Sequence, residues 1–97
     1  MSGVNSIALT GTLTGREAVR YTPAGLEVFE GTFHHRAALV EAGRTRTLEF
    51  DFPAVSYAGT AKALNGLALG AEIQIKGFLA PRSMKSQRLI VHITEFN

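Results

Sequence analysis

The stretch IQIKGFLAPRSMKSQRLIVHITEF, residues 73–96, holds two alternating apolar runs, Ile73 to Leu79 and Leu89 to Phe96, joined by a polar segment that carries Arg82, Lys85 and Arg88. Side chains of a strand alternate between faces, so each run reads as a half-buried strand and the pair as a β-hairpin with a basic loop. Ile73, Ile75, Gly77 and Leu79 take the inward parity on the first run, and Leu89, Val91 and Ile93 on the second, leaving Phe78, Ile90, His92 and Thr94 outward. Between Ile73 and Thr94 there is no Asp or Glu, whereas Lys76, Arg82, Lys85, Arg88 and His92 all fall there. The cations of this finger have no acid close in sequence and are read as facing an external anion; the competing reading is a solvated loop.

Working towards the N-terminus, LALGAE turns the chain into residue 73, and Ser56 to Leu67 is the one helical segment, kept short by Gly59 and Gly66. Before it, TLEFDFPAV sets Leu48, Phe50 and Phe52 on one face and Glu49 and Asp51 on the other, with Pro53 expected to end regular pairing. The stretch VEAGRTR, residues 40–46, reads as a hairpin loop. A second strand places Phe29, Gly31 and Phe33 against Glu30, Thr32, His34 and Arg36, and Pro23 with Gly25 marks the turn before it. The first strand, IALTGTL at 7–13, carries Gly11 where a bulge or a tight bend would let it serve two sheets; Gly15 then allows a turn, with Glu17 to Tyr21 extended.

The order is three strands, a short helix and two strands. That is the order of the OB-fold, a small Greek-key barrel of the all-β class, and residues 1–97 are expected to form one such domain. A helix-free sandwich wants about seven strands, more than this length readily supplies.

Composition narrows the function. The chain is 45% hydrophobic and 19% charged, has no cysteine, and carries a net charge of +2. Disulfide frameworks and thiolate metal sites are excluded. The first residues lack the basic and apolar regions of a secretion signal, and no apolar run approaches the ~20 residues that span a bilayer, so a cytoplasmic protein without membrane association is expected. An enzyme is not expected. His34 and His35 are adjacent and point to opposite strand faces, Glu49 and Asp51 read more naturally as a solvated face than as an acid and base pair, and no phosphate-cradling glycine loop is present; no metal or other cofactor is called for.

Binding a single strand of nucleic acid takes cations along a groove and flat surfaces for the bases. Arg36, Arg44, Arg46, Arg82, Lys85 and Arg88 are expected to gather on one side of the barrel, joined by Arg20, Tyr21 and His34. Contacts from six such cations imply a log–log salt slope on the order of −4, at about 0.7 per phosphate. Stacking surfaces are fewer: there is no tryptophan, and Phe29, Phe33, Phe50 and Phe52 have inward parity, leaving Tyr21, Tyr57, Phe78 and the histidines His34 and His35.

NSIALTGTLTG at the start, TPAG followed by HHRA, the loop EAGRTR, FDFPAV, and the closing KGFLAP with LIVHITE together resemble the PriB family, the primosomal replication proteins N, over nearly the whole chain. The resemblance implies a homodimer of OB-folds that binds single-stranded DNA and bridges the PriA helicase to later primosome proteins during replication restart. Arg36 and Arg46 match positions of the family's binding arginines, and Arg82, Lys85 and Arg88 stand in its last hairpin. A general single-strand binding protein is the neighbouring alternative; the acidic tail such proteins append is not expected, because the chain runs out after the last strand at Asn97. A protein-interaction adaptor, in which the same face meets protein, is the other, and an RNA-binding cold-shock type would need aromatic-rich second and third strands. The sequence departs from the family at Glu49, where an exposed aromatic is expected, and Asp51 follows on the same face. A carboxylate there repels phosphate, so Glu49→Trp is expected to tighten binding to an oligonucleotide at low salt in a fluorescence anisotropy titration. Unchanged or weaker binding removes position 49 from the nucleic-acid face.

Overall fold

The computed structural model describes residues 2–97. Its strands are β1 (Ile7–Arg16), β2 (Arg20–Tyr21), β3 (Glu27–Glu41), β4 (Arg44–Tyr57), β5 (Glu72–Pro81) and β6 (Leu89–Phe96), with helix α1 (Ala58–Asn65) between β4 and β5. They run side by side in the order β1-β5-β6-β4-β3-β2, and β1 also pairs with β3, which closes the five long strands into a barrel. All neighbours are antiparallel except β4 and β6, which meet in parallel at Ala54↔Val91 and Val55↔His92. This is the expected OB-fold, with a two-residue β2 added at one edge.

β1 carries the closure. It pairs with β5 from Ile7↔Gly77 to Thr12↔Glu72, and with β3 from Thr12↔His34 to Arg16↔Gly31. The strand therefore changes partner at Thr12, one residue beyond Gly11. A Cβ on Gly11 would lie 3.1 Å from the Phe33 side chain, so the bare backbone lets β1 pass close over the core at its bend. The bulge itself falls later, between Leu13 and Gly15, and β1 continues through Gly15 instead of turning there.

The core consists of the inward parity of these strands. Leu13, Phe29, Phe33, Phe52, Ala54, Ile73, Ile75, Val91 and Ile93 are buried together, and Ala61 and Leu64 of α1 plug the barrel. Phe33 stacks on Phe52 at 5.7 Å between ring centroids and lies 6.1 Å from Phe29. Arg16 closes the helix end, donating from Nη1 to the carbonyls of Leu64 and Leu67, where a cation also suits the negative end of the helix.

Four further details differ from the sequence reading. The expected loop at 40–46 shrinks to Ala42-Gly43, both at positive φ (52° and 76°), as a two-residue hairpin turn requires; β3 and β4 otherwise pair without a break from Val28↔Tyr57 to Glu41↔Arg44. Pro53 does not end pairing, because β4 gains β6 as a second neighbour only at Ala54 and is still an edge at Pro53. Phe50 has inward parity but is 44% exposed, since the β3–β4 hairpin runs past the barrel and has no core beneath it there. On β6, Leu89 has inward parity but lies exposed, while Ile90, of outward parity, is 5% exposed in a separate cluster with Val28 and Val55. Phe33 is the side chain on which the other rings pack, and Phe33→Ala is expected to cost about 3–5 kcal/mol in chemical denaturation, while Phe50→Ala costs much less.

Candidate nucleic-acid interface

Alternation along β3 and β4, read through their register, assembles one outward face: Val28, Glu30, Thr32, His34 and Arg36 from β3 beside Tyr57, Val55, Pro53, Asp51 and Glu49 from β4. β6 adds His92 next to Val55, and β5 adds Phe78 opposite His92.

Glu30 sits in the middle of this face and holds two arginines. Its Oε1 forms an ion pair with Arg20 Nη1 at 3.2 Å, and its Oε2 accepts from Arg82 Nη2. Arg20 arrives on β2, held against Val28, and Arg82 from the start of the 82–88 loop, whose base is closed by the Arg82 N–H donating to the Arg88 carbonyl at 2.8 Å. The finger that lacked an acid in its own sequence therefore finds one on β3. Among the described residues, Lys85 and Arg88 have no carboxylate within ion-pairing distance.

The adjacent histidines separate as their parity requires. His35 is buried, donates from Nδ1 to the Thr10 carbonyl at 2.7 Å and packs on Phe50 with 5.1 Å between centroids. His34 lies outward between two carboxylates, with Nδ1 2.6 Å from Asp51 Oδ1 and Nε2 3.0 Å from Glu49 Oε2. Both nitrogens donate only in the imidazolium form. The hydrogen bonds to Asp51 and then to Glu49 hold its pKa above the ordinary imidazole value. Glu49 also lies 4.0 Å from the Arg36 guanidinium.

Arg44 and Arg46 are on β4 at the far end of the hairpin, where Arg46 donates to Glu41 Oε1 at 2.7 Å. Six residues at ~3.3 Å per residue put Arg36 about 20 Å from Glu30 along β3, and the hairpin turn lies farther still. The cations thus form three groups: Arg20 and Arg82 on Glu30 with Lys85 and Arg88 on the same loop as Arg82, His34 and Arg36 on Glu49, and Arg44 and Arg46 at the hairpin end. Tyr21 stands exposed beside Arg20.

One feature escaped the sequence reading. His92 stacks on Phe78 with 4.7 Å between centroids and 13° between planes, and Tyr57 follows at 6.2 Å and 30°. Tyr57 is 43% exposed and Phe78 lies partly open, so a short ladder of rings ends the face next to the Glu30 group. Tyr57 and Phe78 were legible as separate stacking surfaces, but Tyr57 ends β4 instead of belonging to the helix, and its alignment with Phe78 and His92 depends on three strands meeting.

A closed five-stranded barrel of this topology, with one short helix between β4 and β5, is an OB-fold. The family described as "another single-strand binding protein family" matches residues 5–95. The replication restart protein PriB of Nitrosomonas europaea is 35% identical over 91 residues, covering 94% of this chain and 84% of that protein; PriB of Bordetella pertussis is 35% identical over 92 residues, covering 95% and 86%. A crystal structure of PriB from Ralstonia solanacearum superposes with a TM-score of 0.88 at 33% identity, covering 98% of this chain and 97% of that one. The chain belongs to the single-strand binding protein family and, within it, to the replication restart PriB proteins.

The raised pKa of His34 makes its clamp pH dependent. Because folding raises the proton affinity, the stabilisation is fully present below the ordinary imidazole value and is lost as pH rises through the folded one. In an NMR titration His34 is expected to titrate above the ordinary value. Asp51→Asn should lower it more than Glu49→Gln, and a His34 that titrates normally removes the clamp.

Proposed function

We propose that the chain binds single-stranded DNA through the outward face of β3 and β4, as a homodimer that serves replication restart by joining the PriA helicase to later primosome proteins. Membership of the PriB proteins supports the setting. The observation that carries the binding reading is the neighbourhood of the Arg20 and Arg82 guanidiniums and the Tyr57–His92–Phe78 ladder, since phosphates and bases of one strand need both within a few ångströms of each other.

On this reading Arg20, Arg82, Lys85 and Arg88 track the backbone beside the ladder, with Tyr21 as a further stacking surface. His34 and Arg36 continue the path along β3, while Arg44 and Arg46, paired with Glu41 and Leu39 at the opposite parity, stand on the reverse side of the hairpin and add attraction from a distance. Contacts to phosphate fix the path without reading sequence. The acids on the same face limit binding: Glu30, Glu49 and Asp51 already engage Arg20, Arg82, His34 and Arg36, so affinity is modest and its salt dependence shallower than the number of cations alone would give.

The adaptor reading has one specific observation in its favour, the carboxylates of Glu49 and Asp51 where a base would otherwise stack. The two readings part in one experiment. Single-stranded DNA is titrated against wild type and an Arg82→Ala, Lys85→Ala, Arg88→Ala variant across a salt series. Removing three cations is expected to flatten the log–log slope by roughly 2, at about 0.7 each, with weaker binding at low salt. Equal affinity and slope would move the function to the adaptor reading. Sedimentation at micromolar concentration tests the dimer, and a monomer removes it.

A further inference from the structure

The geometry points to Glu30 as an internal stand-in for a backbone phosphate: single-stranded nucleic acid docks by taking Arg20 and Arg82 away from this carboxylate. The inference rests on the DNA-binding reading above and goes beyond it, since it assigns to an acid the setting of affinity.

A carboxylate and a phosphodiester share the features that guanidinium recognises, a single negative charge spread over two equivalent oxygens. Glu30 uses them as a bridging phosphate would. One oxygen goes to Arg20, the other to Arg82, and the two arginines come from separate elements on either side of the strand. The Glu30 side chain is only 16% exposed, whereas those of Arg20 and Arg82 are about half open. An approaching polyanion meets the guanidiniums first and the carboxylate hardly at all.

The surroundings mark a path across this point. A groove of about 240 Å³ bordered by Thr32, Pro53 and Arg82 lies on one side of Glu30, and another of about 230 Å³ bordered by Arg20, Val55, Tyr57 and His92 lies on the other. Glu30 and Arg82 border both. A strand running from Pro53 towards the ring ladder therefore crosses the ion pairs. The other cation bordering the first groove, Arg16, is committed to the carbonyls of α1, and Glu17 adds a second acid, so the strand depends on Arg20 and Arg82 at this crossing. Their supports let them move: β2 is two residues long, and Arg82 opens a loop.

Displacing an internal anion weakens binding and reduces the number of counterions that the DNA must shed. Glu30→Gln keeps the side-chain shape and frees both guanidiniums. It is expected to bind an oligothymidylate several-fold more tightly than wild type at low salt, with a log–log slope steeper by roughly 0.7 for each further phosphate that the freed arginines neutralise. Adding Arg82→Ala to Glu30→Gln should cancel the gain. Glu95→Gln, which changes net charge equally at the far end of β6, should leave affinity near wild type. Thermal melting checks the fold, and if Glu30→Gln melts early, Glu30→Asp, one methylene too short to bridge both arginines, takes its place with the same expected direction. If wild type binds and the position-30 variant binds equally or more weakly, or Glu95→Gln matches its gain, Glu30 is no stand-in and the DNA-binding reading survives. If neither wild type nor the variant binds at any salt, that reading falls and takes this inference with it.

Discussion

The sharing of β1 between two partners is the constraint from which the rest follows. Thr12 pairs with Glu72 of β5 and with His34 of β3, so the strand that closes the barrel also fixes which way β3 presents its alternate side chains. With Leu13 and Gly11 turned to the core against Phe33, the outward parity of β3 is set, and the unbroken β3–β4 register hands the same orientation to Glu49, Asp51 and Tyr57. A one-residue slip would exchange every core residue for a face residue, which is why burying Phe29, Phe33 and Phe52 specifies the binding face as firmly as the core.

That face is electrically self-contained. Each acid on it has a cation: Glu30 has two arginines, and Glu49 and Asp51 share one histidine. Pairs between solvent-screened side chains contribute little to the stability of a fold, so their effect lies in what they do to a visiting polyanion. They tie down the side chains that would otherwise meet phosphate, and they do so unevenly. Lys85, Arg88 and Arg44 stand without a carboxylate partner among the described residues, while Arg20 and Arg82 are engaged. Long-range attraction thus falls to the loop and the hairpin end, and close contact falls to a centre that must first release its own acid.

The succession of strands along the chain, the split between His34 and His35 and the core rings at Phe29, Phe33 and Phe52 were legible from alternation, because side-chain parity is a local property, and the single short helix from its alanine-rich, glycine-bounded composition. Features that join distant strands were not. Glu30 stands 52 residues from Arg82, and only closure of the barrel brings the two together. The ring ladder draws on three strands, and Ile90 is buried because Val28 and Val55 happen to flank it. Phe50 was misplaced for a related reason: parity states which side a residue faces and says nothing of where the barrel beneath it ends. The family likeness carried the chain to the PriB proteins, and the departure at Glu49 acquired a physical setting once His34 was seen bridging it to Asp51.

The central claim is that one face, and not the molecule at large, receives a single strand. The most direct measurement is a set of backbone amide spectra of the isotope-labelled protein with increasing oligothymidylate at low salt. The account predicts that the shifting amides cluster at Arg20 and Tyr21, at Glu30 to Arg36, at Tyr57 and His92, and through the 82–88 loop, with the core and the Glu95 end of β6 unmoved. Shifts confined to the opposite side of the barrel, or spread evenly over it, would contradict it.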